Sequence, residues 1–325
     1  MHSSELVRKI NSREDFRFSS QDSSLQISSM KGESGSVKGY EIIFRITGKC
    51  NFRCLYCGVE SQGLSRKSFL KLVEALEKSD LKGSSITISG GEPTISRDFI
   101  PALQRLIETD CKSIIVQTNA TMLSNGRFIS QIPHDERILF FISFPSHLRE
   151  HYEAITQSKL YDKAVRGLTD ISARSRFEIC MVINRINYKE IAETVKFVEQ
   201  TTGRRDFQFT ISNVFINPML DPGKFIVRYS DVTPYIIEAQ SEYSDIIALP
   251  SSGDCSFPYC AIPSLMETHG DIIRSDNTSD VGYGTMKHKF FKLPTCKRCR
   301  YDGVCTGYHT EYVKRFGTSE INPIP

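Results

Sequence analysis

Hydrophobic and polar positions alternate with two different periods along residues 40–212. Short runs rich in Ile, Val and Phe predict buried strands at 41–47, 85–89, 113–118, 137–144, 177–183 and 206–212. Apolar residues at helical spacing predict helices between them, at 67–79, 98–109, 125–131, 159–174 and 189–201. Such a series predicts an α/β fold, with a parallel sheet curved into a partial (β/α)6 barrel. Chemistry is then expected at the carboxyl ends of the strands.

The remaining segments lack this alternation. The N-terminal segment is polar and Ser-rich, with a possible short strand at 25–27. A single helical stretch near 233–243 lies among turn signals, and beyond it Cys, Pro and Gly dominate until a last helix at 309–316. A segment with so little apolar core is expected to be organised by metal. The predicted units are an extension (1–38), the barrel (39–212), a connector (213–250) and a metal-organised domain (251–325).

Composition and charge narrow the class of protein. The 325 residues are 39% hydrophobic and 24% charged, as in an ordinary globular protein. The net charge, 41 − 38 = +3, predicts no nucleic-acid partner. No run of about 18 apolar residues predicts a membrane span, and the N-terminus has no apolar signal-peptide core. A cytoplasmic location is therefore the expectation.

The ten cysteines indicate metal rather than disulfides in a cytoplasmic chain. Cys111 and Cys180 lie within apolar stretches and are predicted to be buried and inert. The other eight fall in two groups at short spacing, which favours metal sites: Cys50, Cys54 and Cys57, then Cys255, Cys260, Cys296, Cys299 and Cys305.

The first cysteine group directly follows the first barrel strand. Its thiols, at Cys50, Cys54 and Cys57, can wrap around one inorganic centre from a single short loop. A zinc site would need a fourth Cys or His nearby, and none lies between Thr47 and Arg66. A cubane iron–sulfur cluster has four irons, so three cysteine ligands would leave one iron open to a ligand that is not protein.

This loop, with Tyr56 before the last cysteine, resembles the signature of the radical S-adenosylmethionine (radical SAM) superfamily. The resemblance covers about residues 40–212 and implies a TIM-like partial barrel. It also implies that the three thiolates hold a [4Fe–4S] cluster whose open iron is chelated by the amine and carboxylate of SAM. Reduction then splits SAM into methionine and a 5′-deoxyadenosyl radical, which abstracts hydrogen from a substrate C–H bond.

Strand ends supply the expected SAM-binding residues. The stretch Gly90, Gly91, Glu92, Pro93 resembles the family turn that meets the methionyl amine of SAM through backbone carbonyls and the Glu. Adjacent glycines allow the backbone to approach a ligand closely, and Pro93 fixes the turn. The alternative is an ordinary strand-to-helix turn.

The next three strands add weaker candidates. Residues 117–121 resemble the family's Thr-Asn-Gly turn with Ala120 in place of Gly, and Asn119 (or the neighbouring Gln117) is expected to face SAM or substrate. Ser143 and Asn184, at the ends of strands four and five, are further candidates for SAM contacts. The helix that follows strand four carries His147, His151 and Glu153, which are interpreted as a solvated face.

The second cysteine group resembles the SPASM/twitch extension of radical SAM enzymes through Cys296, Cys299 and Cys305. The full pattern holds two auxiliary clusters, but His309 and Ser275 stand where ligand cysteines are expected. One auxiliary [4Fe–4S] cluster is therefore predicted, with Cys260 as the fourth ligand and Cys255 as the alternative. A four-cysteine zinc site has the same spacing. If Cys255 is the spare thiol, it is a candidate catalytic hydrogen-atom donor, or is simply buried.

Together these features predict a radical SAM enzyme. The resemblance of the second cysteine group to the SPASM/twitch region implies a peptide-derived substrate, modified by epimerisation or cross-linking. The alternatives are dehydrogenation of a small molecule or sugar, and a non-catalytic iron–sulfur protein. The expected electron donor is a flavodoxin- or ferredoxin-type protein. A basic run near the second cysteine group is either its docking face or charge balance for the cluster: Lys287, His288, Lys289, Lys292, Lys297, Arg298 and Arg300.

Overall fold

The computed structural model describes residues 25–31, 37–57, 63–214, 221–250, 255–263 and 289–325. One eight-stranded sheet runs in chain order, with the first two strands antiparallel and every later pair parallel. Its strands are β1 (Leu25–Lys31), β2 (Val37–Thr47), β3 (Ser85–Gly90), β4 (Ser113–Thr118), β5 (Ile138–Ser143), β6 (Arg176–Val182), β7 (Gln208–Ser212) and β8 (Ile247–Ala248).

Helices between the parallel strands cover one face of this sheet, and several successive pairs contact each other. The first helix presents an apolar stripe to the sheet through Phe69, Leu72 and Leu76, all at most 1% exposed. The helices are α1 (Arg66–Glu77), α2 (Phe99–Leu106), α3 (Gly126–Ile129), α4 (Arg149–Thr156), α5 (Tyr161–Ser172), α6 (Ile191–Thr202), α7 (Tyr229–Glu242) and α8 (Thr310–Phe316).

The opposite face of the sheet is concave and polar. Along β2, Ile42 and Phe44 are fully buried against the helices, while the alternate residues point to the concave side. Polar side chains pair across that side, as in the 2.6 Å bond from Ser89 Oγ to Gln117 Oε1. A partial barrel therefore surrounds a polar interior, with the carboxyl ends of β2 to β7 at one rim.

The predicted α/β fold is confirmed, and all six predicted strands are present. The sheet is larger than the six predicted barrel strands, because β1 from the predicted extension and β8 from the predicted connector join its two ends. The predicted connector also contains α7. The helix predicted near 233–243 begins one turn earlier, at Tyr229, despite Pro234 inside it. Tyr229 is buried and stacks on Tyr312 at 4.3 Å between ring centroids. This tertiary packing stabilises the helical turn that precedes Pro234.

The C-terminal residues pack on α7 through aromatic rings. Tyr308 and Tyr312, each 1% exposed, contact Tyr229, and the same core includes Phe257. A two-stranded sheet, β9 (Phe290–Phe291) with β10 (Tyr308–His309), precedes α8. Among the residues that the structure describes, no helix is long and apolar enough to cross a bilayer.

Candidate iron–sulfur and cofactor site

The first cysteine loop, residues 50–57, leaves the carboxyl end of β2 and lies against the turn after β3. Gly91 N donates to Thr47 O at 2.7 Å, and Glu92 N donates to Lys49 O at 2.8 Å. A Cβ at Gly91 would lie 2.2 Å from Lys49 O, and one at Gly90, whose φ is 142°, would lie 2.3 Å from Thr47 O. Both glycines are thus required by the close approach of the two backbones.

Glu92 joins this turn to the end of β4. Its carboxylate is 1% exposed and accepts hydrogen bonds from Thr94 N, the Thr94 and Thr118 hydroxyls and Asn119 N, at 2.5–3.0 Å. Burial raises the pKa of Glu92, and these donors oppose the rise. Pro93 starts the short 3-10 helix Pro93–Ile95, which the Glu92 side chain caps. In this structure the Glu92 carboxylate faces protein donors.

The side chain of Asn119 also turns toward the cysteine loop. Its Nδ2 donates to Asn51 Oδ1 at 2.7 Å, and Asn51 Nδ2 donates to Thr121 Oγ1 at 2.8 Å. The intervening Ala120 has a φ of 62°, in the left-handed region where Gly is favoured. Sequence reasoning missed Asn51; its signal was a polar amide directly after the first cysteine.

A third anchor comes from the end of α4. Arg53 N donates to Thr156 O and Leu55 N to Ile155 O, each at 3.0 Å. The last carbonyls of a helix have no partner within it, so they are available to hold a neighbouring loop. Phe52, 8% exposed, packs edge-on against Tyr152 beneath the loop. The three anchors fix the path of the loop from two strand ends and one helix end.

The three thiols remain accessible on this fixed loop. Cys50 and Cys57 are exposed, and Cys54 is partly buried. Burial raises the pKa of Cys54 to about 12, and the nearby Cys57 and Cys50 add to the rise. No three Cys, His, Asp or Glu side chains in the described ranges are gathered closely enough to hold a single metal ion. Because a cubane spaces its ligands more widely than one ion does, three neighbouring thiols on an accessible loop fit a [4Fe–4S] cluster.

The remaining barrel candidates lie in two environments. Ser143, the last residue of β5, is exposed on the concave side, where a ligand above the loop can reach it. Asn184 is 1% exposed: its Oδ1 accepts from Ile186 N at 2.9 Å and its Nδ2 donates to Val182 O at 3.1 Å. The structure therefore gives Asn184 a role in its own turn, and Ser143 the more open position.

The start of α4 is not the solvated face interpreted from its sequence. His151 Nδ1 contacts Glu190 Oε1, and Ser146 Oγ donates to Glu190 Oε2 at 2.5 Å. The Glu190 side chain is only 11% exposed. His147 Nδ1 lies 3.1 Å from Thr194 Oγ1. These contacts tie α4 to the start of α6, and sequence alone missed them because the partner lies some 40 residues further along the chain.

Within the second cysteine group, Cys260 lies near Cys296 and Cys305. Burial raises the pKa of Cys296, and the nearby Cys260 and Cys299 add to the rise; Cys260 also contributes to the raised pKa of Cys305. Cys260 Sγ lies 3.6 Å from Tyr308 Oη.

Cys255 lies instead beside the barrel. Its carbonyl accepts from Asn213 N, at the end of β7, at 2.8 Å. Burial raises the pKa of Cys180, on the concave side of β6, to about 12, and the nearby Cys255 adds to that rise. The ligand hairpin at 266–275, with Ser275, and the basic residues at 287 and 288 lie outside the described residues.

His309, which stands in place of an expected ligand cysteine, caps α8. Its Nδ1 accepts from Glu311 N at 3.2 Å, and burial lowers its pKa to about 4 from an ordinary value of 6.5. The neutral ring is thus the form that the folded protein favours. An imidazole that caps a helix with Nδ1 has a structural role there.

Acidification is expected to destabilise the protein through His309. The folded pKa lies below the unfolded one, so this contribution is complete above pH 6.5 and is lost as the pH falls toward 4. At pH 5 the free energy of unfolding should drop by about 2 kcal/mol from this group. Urea unfolding of the wild type and His309→Asn at pH 7 and pH 5 measures it, because Asn caps helices but does not titrate. An equal loss in both proteins would contradict the assignment.

Comparison with known proteins gives a family for the barrel. The radical SAM superfamily model matches residues 44–198. Curated relatives include a probable GTP 3′,8-cyclase of Saccharolobus islandicus, 24% identical over 163 residues that cover 47% of this chain and 50% of the relative. The corresponding protein of Methanothermobacter thermautotrophicus is 29% identical over 162 residues, 48% of this chain and 52% of the relative. The chain thus spans about half the length of these relatives.

Solved structures share the fold over more of the chain. Streptococcus suis SuiB bound to S-adenosylmethionine has a TM-score of 0.59 at 14% identity and covers 87% of this chain and 76% of its own. Native anSMEcpe with bound AdoMet has a TM-score of 0.55 at 19% identity, covering 82% and 88%. The matched domain, the fold and the three-thiol loop agree with one another. Residues 44–198 therefore form a radical SAM domain.

Proposed function

We propose that this protein reductively cleaves SAM and uses the resulting 5′-deoxyadenosyl radical to abstract hydrogen from a peptide C–H bond. The observation that carries the proposal is the three-thiol loop held at the rim of a polar barrel interior by the turns after β3 and β4. Cys50, Cys54 and Cys57 would hold a [4Fe–4S] cluster. When bound, the cluster supplies the electron that splits SAM.

The chain itself positions SAM and substrate. The Gly90–Gly91 turn offers backbone groups beside the loop, and Ser143 offers a hydroxyl on the concave side. The turn and the strand ends beside it are held in place by Glu92, Pro93 and Asn119. We assign the same kind of structural support to Asn184. A fixed arrangement of this kind is what holds a reactive radical against one C–H bond and away from water.

Cys255 is the proposed hydrogen-atom donor for an epimerisation. Its position beside Cys180 and the concave side supports this role. The substrate radical would take the hydrogen atom of the Cys255 thiol, forming a C–H bond and leaving a thiyl radical. One electron from a flavodoxin- or ferredoxin-type donor and one proton would restore the thiol. The exposed Lys297, Arg298 and Arg300 are available to dock such an acidic donor.

A second cluster is proposed at Cys260, Cys296, Cys299 and Cys305. The charge of Lys292 lowers the pKa of Cys296 and Cys305, against the larger effect of burial, and its Nζ also donates to Asp302 O at 2.6 Å. This cation, which also pairs with Asp302 Oδ1 at 2.9 Å, lies near Cys296 and Cys305 and suits an anionic tetrathiolate cluster.

The peptide substrate is supported by likeness of fold. SuiB bound to its precursor peptide SuiA has a TM-score of 0.58 and covers 85% of this chain. The second candidate is a small molecule, either a nucleotide, as the names of the cyclase relatives suggest, or a sugar that the enzyme would dehydrogenate. A non-catalytic iron–sulfur role is a weaker alternative, since the glycine turn beside the loop is intact.

Anaerobic assay of SAM cleavage tests the proposal. The reconstituted, reduced wild type is expected to form 5′-deoxyadenosine from SAM, and Cys54→Ala to form none. Cys111→Ala is the matched control, because that thiol is buried near the amino ends of the strands, away from the loop. A wild type with its irons in place that leaves SAM intact would refute the proposed function.

A further inference from the structure

The concave face of the barrel carries one connected row of inward side chains. Arg45 on β2 pairs in register with Ser89 on β3, whose hydroxyl donates to Gln117 on β4 at 2.6 Å. Gln117 pairs with Phe141 on β5, and Phe141 pairs with Glu178 on β6. The row starts with a cation and, four strands away, reaches an anion.

Both charged side chains of this row are partly buried. Neither makes a hydrogen bond or ion pair with another side chain in the described part of the chain. Burial raises the pKa of Glu178, and the guanidinium of Arg176, two residues earlier on the same side of β6, opposes the rise. Removing a charge from water without a partner is costly, so such groups usually have one.

Other partly buried charges of this protein do have protein partners. Arg137 binds Asp135 at 2.6 Å, Glu190 binds His151 and Ser146, and Glu92 accepts four hydrogen bonds. Glu178, on the inward side of β6, has no such partner among the described residues. A ligand with a positive charge would supply one.

Glu178 lies deeper in the barrel than the rim where SAM is proposed to bind. It lies two residues before Cys180 on the inward side of β6, and Cys180 pairs in register with Ser143 at the rim. A group bound to Glu178 would therefore lie deeper in the barrel than the SAM-facing rim. That is where a substrate must enter to meet a radical formed at the rim.

We propose that Glu178 binds an ammonium or guanidinium group of the substrate, so that the enzyme takes a peptide with a basic residue at the site of modification. This inference rests on the proposed function and names the substrate class. Arg45, at the other end of the row, repels the same cation and so fixes the direction in which the side chain enters.

Equilibrium retention of peptides on the SAM-bound holoenzyme, without reductant, tests the assignment. The probe is a pool of short synthetic peptides that differ only in a central lysine, norleucine or glutamate, quantified by mass spectrometry. We expect the wild type to retain the lysine peptide about tenfold over norleucine. Glu178→Gln should equalise the two, and Glu178→Lys should favour glutamate.

Glu242→Gln, an exposed carboxylate on α7, is the matched control and should keep the wild-type preference. Equal retention of all peptides by the wild type, no retention at all, or a lysine preference that survives Glu178→Gln would overturn the inference. Iron content and SAM cleavage without peptide, measured on each variant, report folding. Intact SAM cleavage without a lysine preference rejects only this inference, whereas absent SAM cleavage rejects the proposed function.

Discussion

Replacing Gly91 by alanine is expected to lower SAM cleavage by about a hundredfold. The new methyl group would lie 2.2 Å from Lys49 O and 2.8 Å from Gly48 O, both backbone atoms that no rotamer change can move. The cysteine loop must therefore shift away from the turn after β3. A displacement of about 1 Å between positioned groups is enough for a loss of this size. Anaerobic 5′-deoxyadenosine formation measures it.

Gly126→Ala is the matched control for that variant. A Cβ at Gly126 meets nothing within 4 Å, so the same chemical change is expected to leave activity at the wild-type value. Thermal unfolding distinguishes a local displacement of the cysteine loop from loss of the fold. Overpacking of this kind costs about 1–3 kcal/mol and should leave the variant folded. Wild-type activity in Gly91→Ala would show that the contact between turn and loop does not position the cluster.

Cys260→Ala is expected to remove about half of the iron from the reconstituted protein, because it deletes one of four proposed ligands of the auxiliary cluster. Cys255→Ala is expected to keep all of it. Cys260 lies near Cys296 and Cys305, and Cys255 lies near Cys180 on the barrel. Iron and sulfide content, with the electron paramagnetic resonance spectrum of the reduced protein, distinguish the two variants.

The same two variants also distinguish a zinc site from an iron–sulfur cluster. If the four cysteines hold zinc, metal analysis of protein produced under anaerobic, iron-replete conditions will find zinc that Cys260→Ala lacks. Iron loss in Cys255→Ala, with Cys260→Ala unaffected, would reverse the ligand assignment and remove the proposed hydrogen donor.

The barrel could be predicted from the sequence because its strands are short, continuous apolar runs. Residues 113–118 were predicted without error, since one face of β4 packs on helices and the pattern is local. The three cysteines and the Gly-Gly turn are recognisable in the sequence for the same reason, because the chemistry proposed for them depends on spacing within a few residues. Local patterns of this kind need no knowledge of the rest of the chain.

The supports of the site could not be predicted in that way. Asn51 meets Asn119, 68 residues away, and His151 meets Glu190, 39 residues away, and neither pair has a local signature. Glu92 was expected to face SAM, but its carboxylate is surrounded by donors that only the packed fold assembles. Glu178 was hidden within an apolar strand, where alternation alone does not show which face is open.

The link between the cysteine loop and α4 has a consequence for the order of events during synthesis. The carbonyls that hold Arg53 N and Leu55 N belong to Ile155 and Thr156, about 100 residues later in the chain. A ribosome exposes the three cysteines long before it completes that helix, and domains fold as units. The loop therefore gains its native path only when α4 has been made and docked. We expect cluster loading to follow the folding of the barrel, and to trail the appearance of the cysteines themselves.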